Sequence, residues 1–433
     1  MEVKEGFKQT EVGEIPEDWL LTNISSVYKV IDGDRGANYP SAGELLGNGY
    51  CLFLNAGNVT KAGFRFFECQ FISEEKDNHL NKGKLKRGDV VLTTRGTVGN
   101  FALYSGEVYF AHVRINSGMV ILRNQAVEVD NRYMYSLLSS SIIGSQIDRM
   151  SFGSAQPQLT VKGIETFTIS LPPTKAEQEA IAEALSDADG LIESLEQLIA
   201  KKRQIKQGAM QELLTGKRRL PGFNKEWKKQ SIGRLFDFSG GVSASRDQLS
   251  TDGYCYLHYG DIHASNKMYL DVRAEYSDIP KLDIPLAKAS NASLLKDGDI
   301  VFVDASEDDE GVSKHIVVIN PEGIPFISGL HTIVAKSKTD DFTYEFRRYC
   351  FQTFEVKKQF RFYAAGAKVT GVSKGNIKKI KIVFPEHDEQ IAIATILSDM
   401  DAEITELETK LTKARKVKQG MMQELLTGRI RLV

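Results

Sequence analysis

Two nearly identical stretches decide the fold of this chain: KQGAMQELLTG at Lys206–Gly216 and KQGMMQELLTG at Lys418–Gly428. They belong to a longer internal repeat, in which residues 177–220 align without a gap on residues 389–432 and 26 of the 44 positions are identical. A repeat of this length and identity does not arise by chance. The sequence therefore predicts two half-molecules of about equal length that share one plan.

The repeated segments have the apolar spacing of coiled-coil helices, with steps of four and three in alternation. In the first copy the series is Ile181, Leu185, Ala188, Ile192, Leu195 and Ile199, and in the second it is Ile393, Leu397, Met400, Ile404, Leu407 and Leu411. Thr174 and Glu177 predict a capping box at the first helix start, and Gly216 and Gly428 lie where C-terminal caps belong. We expect the two helices to pair antiparallel within the chain. Homodimerisation through the same seam is the alternative.

The stretches before the helices are typical of mixed α/β domains that differ from each other. One of the few anchors they share is LKRGDVV at Leu85–Val91, which matches LKDGDIV at Leu295–Val301. The predicted fold class is α+β, with two mixed α/β domains separated by two long antiparallel coiled-coil helices in a pseudo-twofold repeat. The predicted segments are 1–173 (first domain), 174–219 (central repeat helix), 220–385 (second domain) and 386–433 (C-terminal repeat helix).

The two ends of the chain join into a copy of its middle. GRIRLV at 428–433, followed by the opening MEVKEGFKQTEVGEIPEDW at 1–19, is similar to the central junction GKRRLPGFNKEW at 216–227. The sequence predicts that the N-terminal segment packs beside the end of the second helix, so that the repeat closes in a ring.

Composition excludes several classes of protein. The 433 residues carry 55 Lys and Arg against 57 Asp and Glu, so the chain does not hold nucleic acid by overall charge alone. No stretch approaches the roughly 18 apolar residues of a membrane span, and the four cysteines show no CxxC spacing. We therefore expect a cytoplasmic protein. Since no phosphate-binding loop, glycine-rich cofactor loop or catalytic triad stands out, we also expect no catalytic residues.

These features together resemble the specificity subunit of a type I restriction-modification system. The resemblance rests on TEVGEIPEDW at Thr10–Trp19, its echo LPGFNKEW at Leu220–Trp227, the phrases GDVVLTTRGTVGN and GDIVFVDASEDDEG, and the paired helices. It covers essentially the whole chain. It implies a non-catalytic subunit whose two variable domains are target recognition domains, each reading one half of a bipartite, asymmetric double-stranded DNA sequence. A coiled-coil scaffold without DNA specificity is the alternative.

The resemblance also implies partners. Two modification subunits would dock on the repeated helices and bind S-adenosylmethionine, so that this chain needs no cofactor, and restriction subunits would complete the complex. The glycine in each KQGxMQELLTG segment costs about 1 kcal/mol relative to alanine in a helix, which close helix approach or a docked partner would offset. The predicted partner-binding residues are Lys206, Gln207, Gly208, Met210, Leu213, Leu214, Lys418, Gln419, Gly420, Met422, Leu425 and Leu426.

Candidate DNA readers are polar side chains in loops that follow strands, because such side chains can reach base edges. In the first domain, Thr94, Arg95 and Asn100 follow the strand-like Val90–Leu92, although a solvated turn is equally compatible with the pattern. The matched acidic loop of the second domain contains Ser306. A second pair of loops aligns Gln156 with Lys368 and Gln158 with Thr370, and the change of residue type suits two different half-sites.

The best local signal for DNA binding is a basic run in the second domain. No acidic residue occurs from Val356 to Pro385, and the run includes Lys357, Lys358, Arg361, Lys368 and Lys374. We expect this domain to contribute more of the salt-dependent affinity. His258 and His331 complete the predicted reading face, with core or hydrogen-bonded histidines as the alternative. No metal site is predicted, because no third ligand has suitable spacing.

Overall fold

The chain divides into two units in the computed structural model, which describes residues 5–36, 38–151, 158–265, 267–286, 289–306, 311–364 and 370–432. Unit 1 comprises Met1–Glu196 and Lys410–Val433, and unit 2 comprises Gln197–Thr409. The last residues of the chain therefore belong to the same unit as the first. Within the described ranges, no helix is both long enough and apolar enough to cross a membrane.

The two predicted repeat helices are present, and each is 39 residues long. They are α5 (Lys175–Leu213) and α10 (His387–Leu425). At the start of α5, the Thr174 hydroxyl accepts a hydrogen bond from the Glu177 N–H at 3.2 Å. After the helix ends, Gly216 and Gly428 have φ values of +70° and +66°, a conformation that glycine adopts without strain. The stop signals are confirmed, and of the predicted capping box the structure shows the Thr174 half, since the Glu177 carboxylate pairs with Arg431.

Within each unit, the segments of α5 and α10 run antiparallel and are joined by ion pairs. In unit 1, Arg415 pairs with Glu196 at 2.6 Å and Lys418 with Asp189 at 2.5 Å. As the chain advances along one helix, the partner positions recede along the other, which is the antiparallel sense. Unit 2 repeats this arrangement with the pairs Lys202–Glu403, Arg203–Glu408 and Lys206–Asp401. The expected pairing within the chain is confirmed.

Unit 1 is built on a four-stranded antiparallel sheet with the order β10-β9-β12-β4, and a three-stranded sheet with the order β11-β5-β8 packs beside it. Short pairs β1-β2, β3-β13 and β6-β7 complete the unit. Its strands are β1 (Phe7–Thr10), β2 (Gly13–Pro16), β3 (Leu20–Asn23), β4 (Tyr28–Asp32), β5 (Cys51–Phe53), β6 (Val59–Thr60), β7 (Gly63–Phe64), β8 (Phe71–Ile72), β9 (Val90–Thr93), β10 (Phe101–Leu103), β11 (Val113–Arg114), β12 (Met119–Asn124) and β13 (Thr168–Leu171). Its short helices are α1 (Glu74–His79), α2 (Asn131–Leu138), α3 (Ser141–Ser151) and α4 (Val161–Glu165).

Unit 2 follows the same plan, with a five-stranded sheet of order β15-β24-β20-β22-β18 and a four-stranded sheet of order β16-β19-β17-β23. The pairs β14-β26 and β21-β25 complete it. Its strands are β14 (Lys228–Ser231), β15 (Phe236–Gly240), β16 (Leu249–Ser250), β17 (Tyr254–Leu257), β18 (Tyr269–Asp271), β19 (Lys281–Leu282), β20 (Ile300–Val303), β21 (Ala305–Ser306), β22 (His315–Ile319), β23 (Phe326–Ser328), β24 (Thr332–Ser337), β25 (Thr370–Gly371) and β26 (Lys381–Phe384). Its short helices are α6 (Ile232–Leu235), α7 (Tyr259–Ala264), α8 (Phe354–Tyr363) and α9 (Lys374–Ile377).

The matched LKxGDxV phrases lead into the central strands β9 and β20. All four residues of each strand are buried, because both faces of the strand are covered. In unit 1, Val90 and Leu92 point into the cluster that includes α5, whereas Val91 points into the cluster around β5. This continuous apolar run fixes the strand at the centre of its unit. It also places the loop that follows it at one edge of the sheet.

The predicted packing of the N-terminal segment beside the end of the second helix is present in unit 1. A Cβ built on Gly428 would lie 2.5 Å from Pro16 and 3.0 Å from Trp19, so this end of α10 packs directly on the N-terminal segment. Arg431 then forms ion pairs with Glu177 and Asp18. In unit 2 the equivalent contact is that of Gly216 with Trp227, at 3.3 Å for a built Cβ.

Candidate nucleic-acid interface

In unit 1, the two loops singled out in the sequence lie against each other. The backbone N–H of Leu159 donates to the carbonyl of Thr94 at 3.1 Å, and the N–H of Thr94 donates to the carbonyl of Gly118 at 2.7 Å. The loop after β9 is therefore held between the residue before β12 and the segment before α4. Backbone groups make these contacts, and the side chains of Thr94 and Leu159 are buried beneath them.

Arg95 and Gln158 are brought together by this arrangement, and both side chains are exposed. With the Gln158 amide oxygen facing Arg95, that oxygen accepts from Arg95 Nε at 3.2 Å and from Nη2 at 2.8 Å. No carboxylate in the described part of the chain forms an ion pair with Arg95. The guanidinium is thus held by a neutral partner and keeps its full positive charge for a ligand.

The other predicted readers of unit 1 have different positions. Thr94 is 3% exposed, and its hydroxyl donates to the Gly118 carbonyl at 3.0 Å. The side-chain amide of Asn100 donates to the Val59 carbonyl at 3.0 Å and ties the loop to the β6–β7 hairpin. These placements favour structural roles for both residues. Gln156 lies outside the described residues.

The matched loops of unit 2 also pair, in the short ladder of β21 with β25. Ser306 lies opposite Thr370, and Ala305 lies opposite Gly371. The Val372 N–H donates to the Asp304 carbonyl at 2.8 Å, just as Leu159 does to Thr94 in unit 1.

This register corrects the loop alignment expected from sequence, because the structural counterpart of Gln158 is Gly371 rather than Thr370. A single offset of 212 fails here because Leu159 precedes Gln178 of α5 by 19 residues, whereas Val372 precedes the matching Gln390 of α10 by 18, so the offset in this loop is 213. The expected match of Gln156 with Lys368 lies outside the described residues.

His331 projects from the equivalent edge of unit 2, at the position that Gly118 occupies in unit 1. It has φ of +59°, in the left-handed region, which is uncommon for a residue with a side chain. Its Nδ1 lies 3.2 Å from Asp304 Oδ1, and its ring meets the Tyr259 ring edge to face at 5.3 Å between centroids. An exposed imidazole held by a carboxylate and an aromatic ring is well suited to contact a polar ligand. Sequence reasoning did not single out Tyr259, although it lies within the YLHYGDIH phrase.

His258 is buried, and its Nδ1 accepts the Gly260 N–H at 3.0 Å to cap α7. Burial, with the positive charge of Arg246 as a smaller cause, lowers the pKa of His258, which keeps the ring neutral and able to accept this bond. The hydrogen-bonded alternative weighed from the sequence therefore describes the geometry of this residue.

The basic run lies on α8 and α9 and on the residues that follow them. Lys358, Arg361 and Lys374 are exposed, Lys357 is half-buried, and Phe362 is 80% exposed beside them. Lys378, Lys379 and Lys381 continue the exposed series. The structural counterparts α3 and α4 of unit 1 carry both basic and acidic residues, including Asp148 and Glu165. Within the described ranges, no group of three or more His, Cys, Asp or Glu could hold a metal ion.

The predicted partner-binding residues divide into exposed and buried groups. Gln207, Gly208 and Gln419 are exposed, and Gly420 is half-buried. Lys206 and Lys418 take part in the ion pairs between the helices, and Met210 and Met422 lie half-buried against the cores. In contrast, Leu213, Leu214, Leu425 and Leu426 are at most 6% exposed and belong to the two main cores, because the helix ends turn inward onto the domains. A partner cannot reach these four leucines in the folded chain.

The helix glycines do not serve close helix approach, which corrects one of the two explanations offered for them. A Cβ built on Gly208 or Gly420 would meet nothing within 4 Å. The positions face open space, so the helix pair itself does not require glycine there. Docking of a partner remains the other explanation.

Two unlike loop faces on matched α/β frames, each joined to a repeat helix, define a tandem recognition protein. The family described as type I restriction modification DNA specificity domain matches residues 16–205 and 224–415, and the chain belongs to this family. It is a non-catalytic DNA-recognition subunit, the specificity subunit of a type I system. A scaffold without DNA specificity is not favoured.

Relatives with similar sequences span the chain. It is 26% identical over 451 residues to the putative type I restriction enzyme MjaX specificity subunit of Methanocaldococcus jannaschii, covering 99% of this chain and 97% of that one. The MjaVIII specificity subunit of the same organism is 28% identical over 228 residues, about half of each chain.

Two solved structures have a similar fold. The S subunit of a type I restriction-modification system from M. genitalium matches with a TM-score of 0.55 at 14% identity over 98% of both chains. A chain from a study of complex assembly and conformational transition of the type I R-M system matches with a TM-score of 0.58 at 14% identity, over 96% of this chain and 99% of that one. The fold class expected from the sequence is confirmed.

Proposed function

We propose that each unit reads one half of a bipartite, asymmetric double-stranded DNA target, through the face formed by its two paired loops. The observation that carries this proposal is the matched frame with unlike side chains. Unit 1 presents Arg95 and Gln158, whereas unit 2 presents His331 beside Asp304 and Tyr259. Base edges differ in their hydrogen-bond donors and acceptors, so different side chains at matched positions select different bases.

The basic run of unit 2 supplies phosphate contacts in this proposal. Contacts to phosphate hold a protein in register on the duplex without reading its sequence, and they make the affinity dependent on salt. The exposed lysines of α9 and its neighbours have the charge for that role. Unit 1, with mixed charges at the matched helices, depends more on its base contacts.

The experiment that tests the proposal is sequencing of methylated DNA from cells that express this chain with its modification partner. A split, asymmetric motif is expected. Exchanging residues 20–150 for those of a related chain should change one half of the motif and preserve the other. An undivided or palindromic motif, or a change in both halves, would contradict the assignment of one half to each unit.

The repeated helix surfaces are the proposed docking sites of two modification subunits, which would bind S-adenosylmethionine, and restriction subunits would join the assembled complex. Gly208 and Gly420 support this proposal, since helix glycines are costly and a Cβ built on either would meet nothing within 4 Å, so the chain's own packing does not need them. The variants Gly208→Leu and Gly420→Leu should keep the fold and each weaken binding of one modification subunit. Unchanged stoichiometry and affinity in both variants, measured by native mass spectrometry and calorimetry, would remove this support.

A further inference from the structure

Arg95 of unit 1 is exposed, but its guanidinium is held by a neighbouring side chain. With the Gln158 amide oriented so that its oxygen faces Arg95, this oxygen engages one edge of the guanidinium and accepts from Nε and Nη2 at 3.2 and 2.8 Å. Guanidinium has five N–H groups, so the two Nη1 hydrogens and one Nη2 hydrogen remain for a ligand. These three hydrogens lie in the plane of the guanidinium, on the side that Gln158 does not contact.

We propose that Arg95, positioned by Gln158, reads a guanine in the major groove of the half-site bound by unit 1. Guanine presents two acceptors, N7 and O6, in that groove, and a pair of coplanar donors matches them. Adenine and cytosine each place an amino donor there, and thymine offers a single acceptor beside a methyl group. A fork that only donates therefore selects guanine. This inference rests on the proposed DNA-reading function and names the base chemistry of that site.

The same geometry assigns Gln158 a positioning role. A glutamine that reads adenine must accept from the N6 amino group and donate to N7 at the same time. The oxygen of Gln158 is already engaged by Arg95. The side chain therefore holds the arginine, and freezing a long flexible side chain in its bound orientation lowers the entropy cost of binding.

Unit 2 has no arginine held by a glutamine at the matched positions. The counterparts of Arg95 and Gln158 are Ala305 and Gly371, which carry no polar side chain. Conversely, Gly118 of unit 1 occupies the position of His331, and a Cβ built on Gly118 would lie 3.3 Å from Asn116 Oδ1 and 3.8 Å from the Arg95 Cβ. A large polar side chain thus enters each face from a different loop. His331 gives a matched control for the other half-site.

The test uses the complex of this chain with its modification partner and duplexes that carry its methylation motif. Each guanine of the motif is replaced in turn by 7-deazaguanine, which lacks N7, or by inosine, which keeps N7 and O6 but lacks the minor-groove amino group. At one guanine of one half, 7-deazaguanine should weaken binding about 5- to 100-fold, the range for a bidentate base contact. Inosine at that position should have little effect.

The variants then link that guanine to the pair of side chains. Arg95→Lys keeps the charge but loses the planar fork, and it should discriminate less than the wild type between the guanine and 7-deazaguanine duplexes. Gln158→Leu should reduce the discrimination, whereas Gln158→Glu, which keeps the acceptor, should restore most of it. A purely structural role of Gln158 would lower the affinity for both duplexes by the same factor. His331→Ala should leave the discrimination at this guanine unchanged.

Two kinds of failure are distinguishable. A split motif with no guanine that responds to 7-deazaguanine in an Arg95-dependent way would overturn the guanine assignment and leave the two-unit function intact. The same holds if the His331→Ala variant loses the discrimination as the Arg95→Lys variant does. Absence of any sequence-dependent retention of DNA by the wild-type complex would instead remove the proposed function on which the inference rests.

Discussion

Units 1 and 2 place the same backbone contacts under different reading faces. In unit 1 the Leu159 N–H donates to the Thr94 carbonyl at 3.1 Å. In unit 2 the Val372 N–H donates to the Asp304 carbonyl at 2.8 Å. The central strands β9 and β20 are both fully buried. On this common frame, the large polar side chain of unit 1 is Arg95, in the loop after β9. In unit 2 it is His331, which directly precedes β24.

This difference shows how one frame accepts two specificities. Backbone hydrogen bonds and apolar packing hold the loops, and neither depends on the identity of Arg95 or His331. Exposed side chains at such positions can change with little effect on stability, which is typically within about 0.5 kcal/mol for surface substitutions. Selection on the DNA target can therefore act on the reading face separately from selection on the fold.

The largest effect that separates the units is expected at the leucines that end the two repeat helices. Leu426 is fully buried in the core of unit 1, and Leu214 is 1% exposed in the core of unit 2. Leucine-to-alanine changes in cores cost about 2–5 kcal/mol. Leu426→Ala should destabilise the N-terminal domain, at the opposite end of the sequence, and Leu214→Ala should destabilise the second domain.

Hydrogen exchange read by mass spectrometry can separate these two effects. Peptides from residues 15–173 should lose protection in the Leu426→Ala variant, and peptides from residues 223–385 should keep it. The Leu214→Ala variant is the matched control, with the reverse pattern. Equal loss in both sets of peptides for either variant would contradict the division of the chain into these units.

The next effect concerns the arginine that follows each repeat helix. Arg431 pairs with Glu177, which is 1% exposed, and Arg219 pairs with Glu389, which is 3% exposed. Removing the arginine leaves a buried carboxylate without its ion-pair partner. Because both arginines are about 30% exposed, we expect Arg431→Met to cost about 2–3 kcal/mol, less than a fully buried pair would.

The two sites differ in their tryptophans, which predicts unequal costs. Trp227 Nε1 donates to Glu389 at 3.2 Å, whereas Trp19 Nε1 is buried without a partner among the described residues. Glu389 therefore keeps one donor after Arg219→Met, and this variant should cost about 1 kcal/mol less. Urea unfolding followed by hydrogen exchange measures both variants. Adding Glu177→Gln to Arg431→Met should restore part of the loss, and no recovery would mean that lost packing rather than the unpaired charge is responsible.

A smaller, pH-dependent difference is expected at His315. Its ring packs against Phe302 and Phe351, and burial lowers its pKa to about 4. The structural counterpart in unit 1 is Phe101, because Phe101 pairs with Leu92 as His315 pairs with Phe302. The unfolded chain binds a proton near pH 6.5, whereas the folded chain does so only near pH 4. Stability contributed by the neutral ring is therefore complete above pH 6.5 and is lost as the pH falls toward 4.

From pH 7.5 to 5.5 this linkage amounts to about 1 kcal/mol for unit 2. His315→Phe, which copies the residue of unit 1, should remove that part of the pH dependence. The measurement is the unfolding free energy of the wild type and the variant at both values of pH. The same loss of stability in both proteins would show that His315 does not titrate in this range.

The parts of the fold that the sequence predicted are those set by repeated local signals. The apolar steps of four and three located α5 and α10, and Gly216 and Gly428 marked their ends. The joined termini predicted that the N-terminal segment packs beside the end of the second helix, where Gly428 approaches Trp19. The four leucines at the helix ends were assigned to a partner, because periodicity identifies an apolar face but cannot say whether the chain's own domain covers it.

The candidate site was harder to predict for a different physical reason. Arg95 and Gln158 could each be named, but their contact depends on the hydrogen bond between Thr94 and Leu159, which are 65 residues apart in sequence. The offset of 212, fixed by the helices, shifts by one residue in the second loop, so sequence alignment gave Gln158 the wrong counterpart. The contact of Tyr259 with His331 likewise joins two separate strand ends, and no local pattern indicates it.

The smallest expected effect tests the unequal charge of the two units. Lys378 follows α9, and its structural counterpart in unit 1 is Glu165, since Ser373 and Thr160 cap the two helices in the same way. If Lys378 contacts a phosphate, Lys378→Gln should reduce the slope of log K against log salt concentration by about one, and the methylation motif should be unchanged.

Glu165→Gln, the matched variant, should leave the slope nearly constant because it removes no cation. Binding titrations of the complex at several salt concentrations give both slopes. An unchanged slope for Lys378→Gln would exclude this lysine from the phosphate contacts, and a changed motif would move it to the base-reading face.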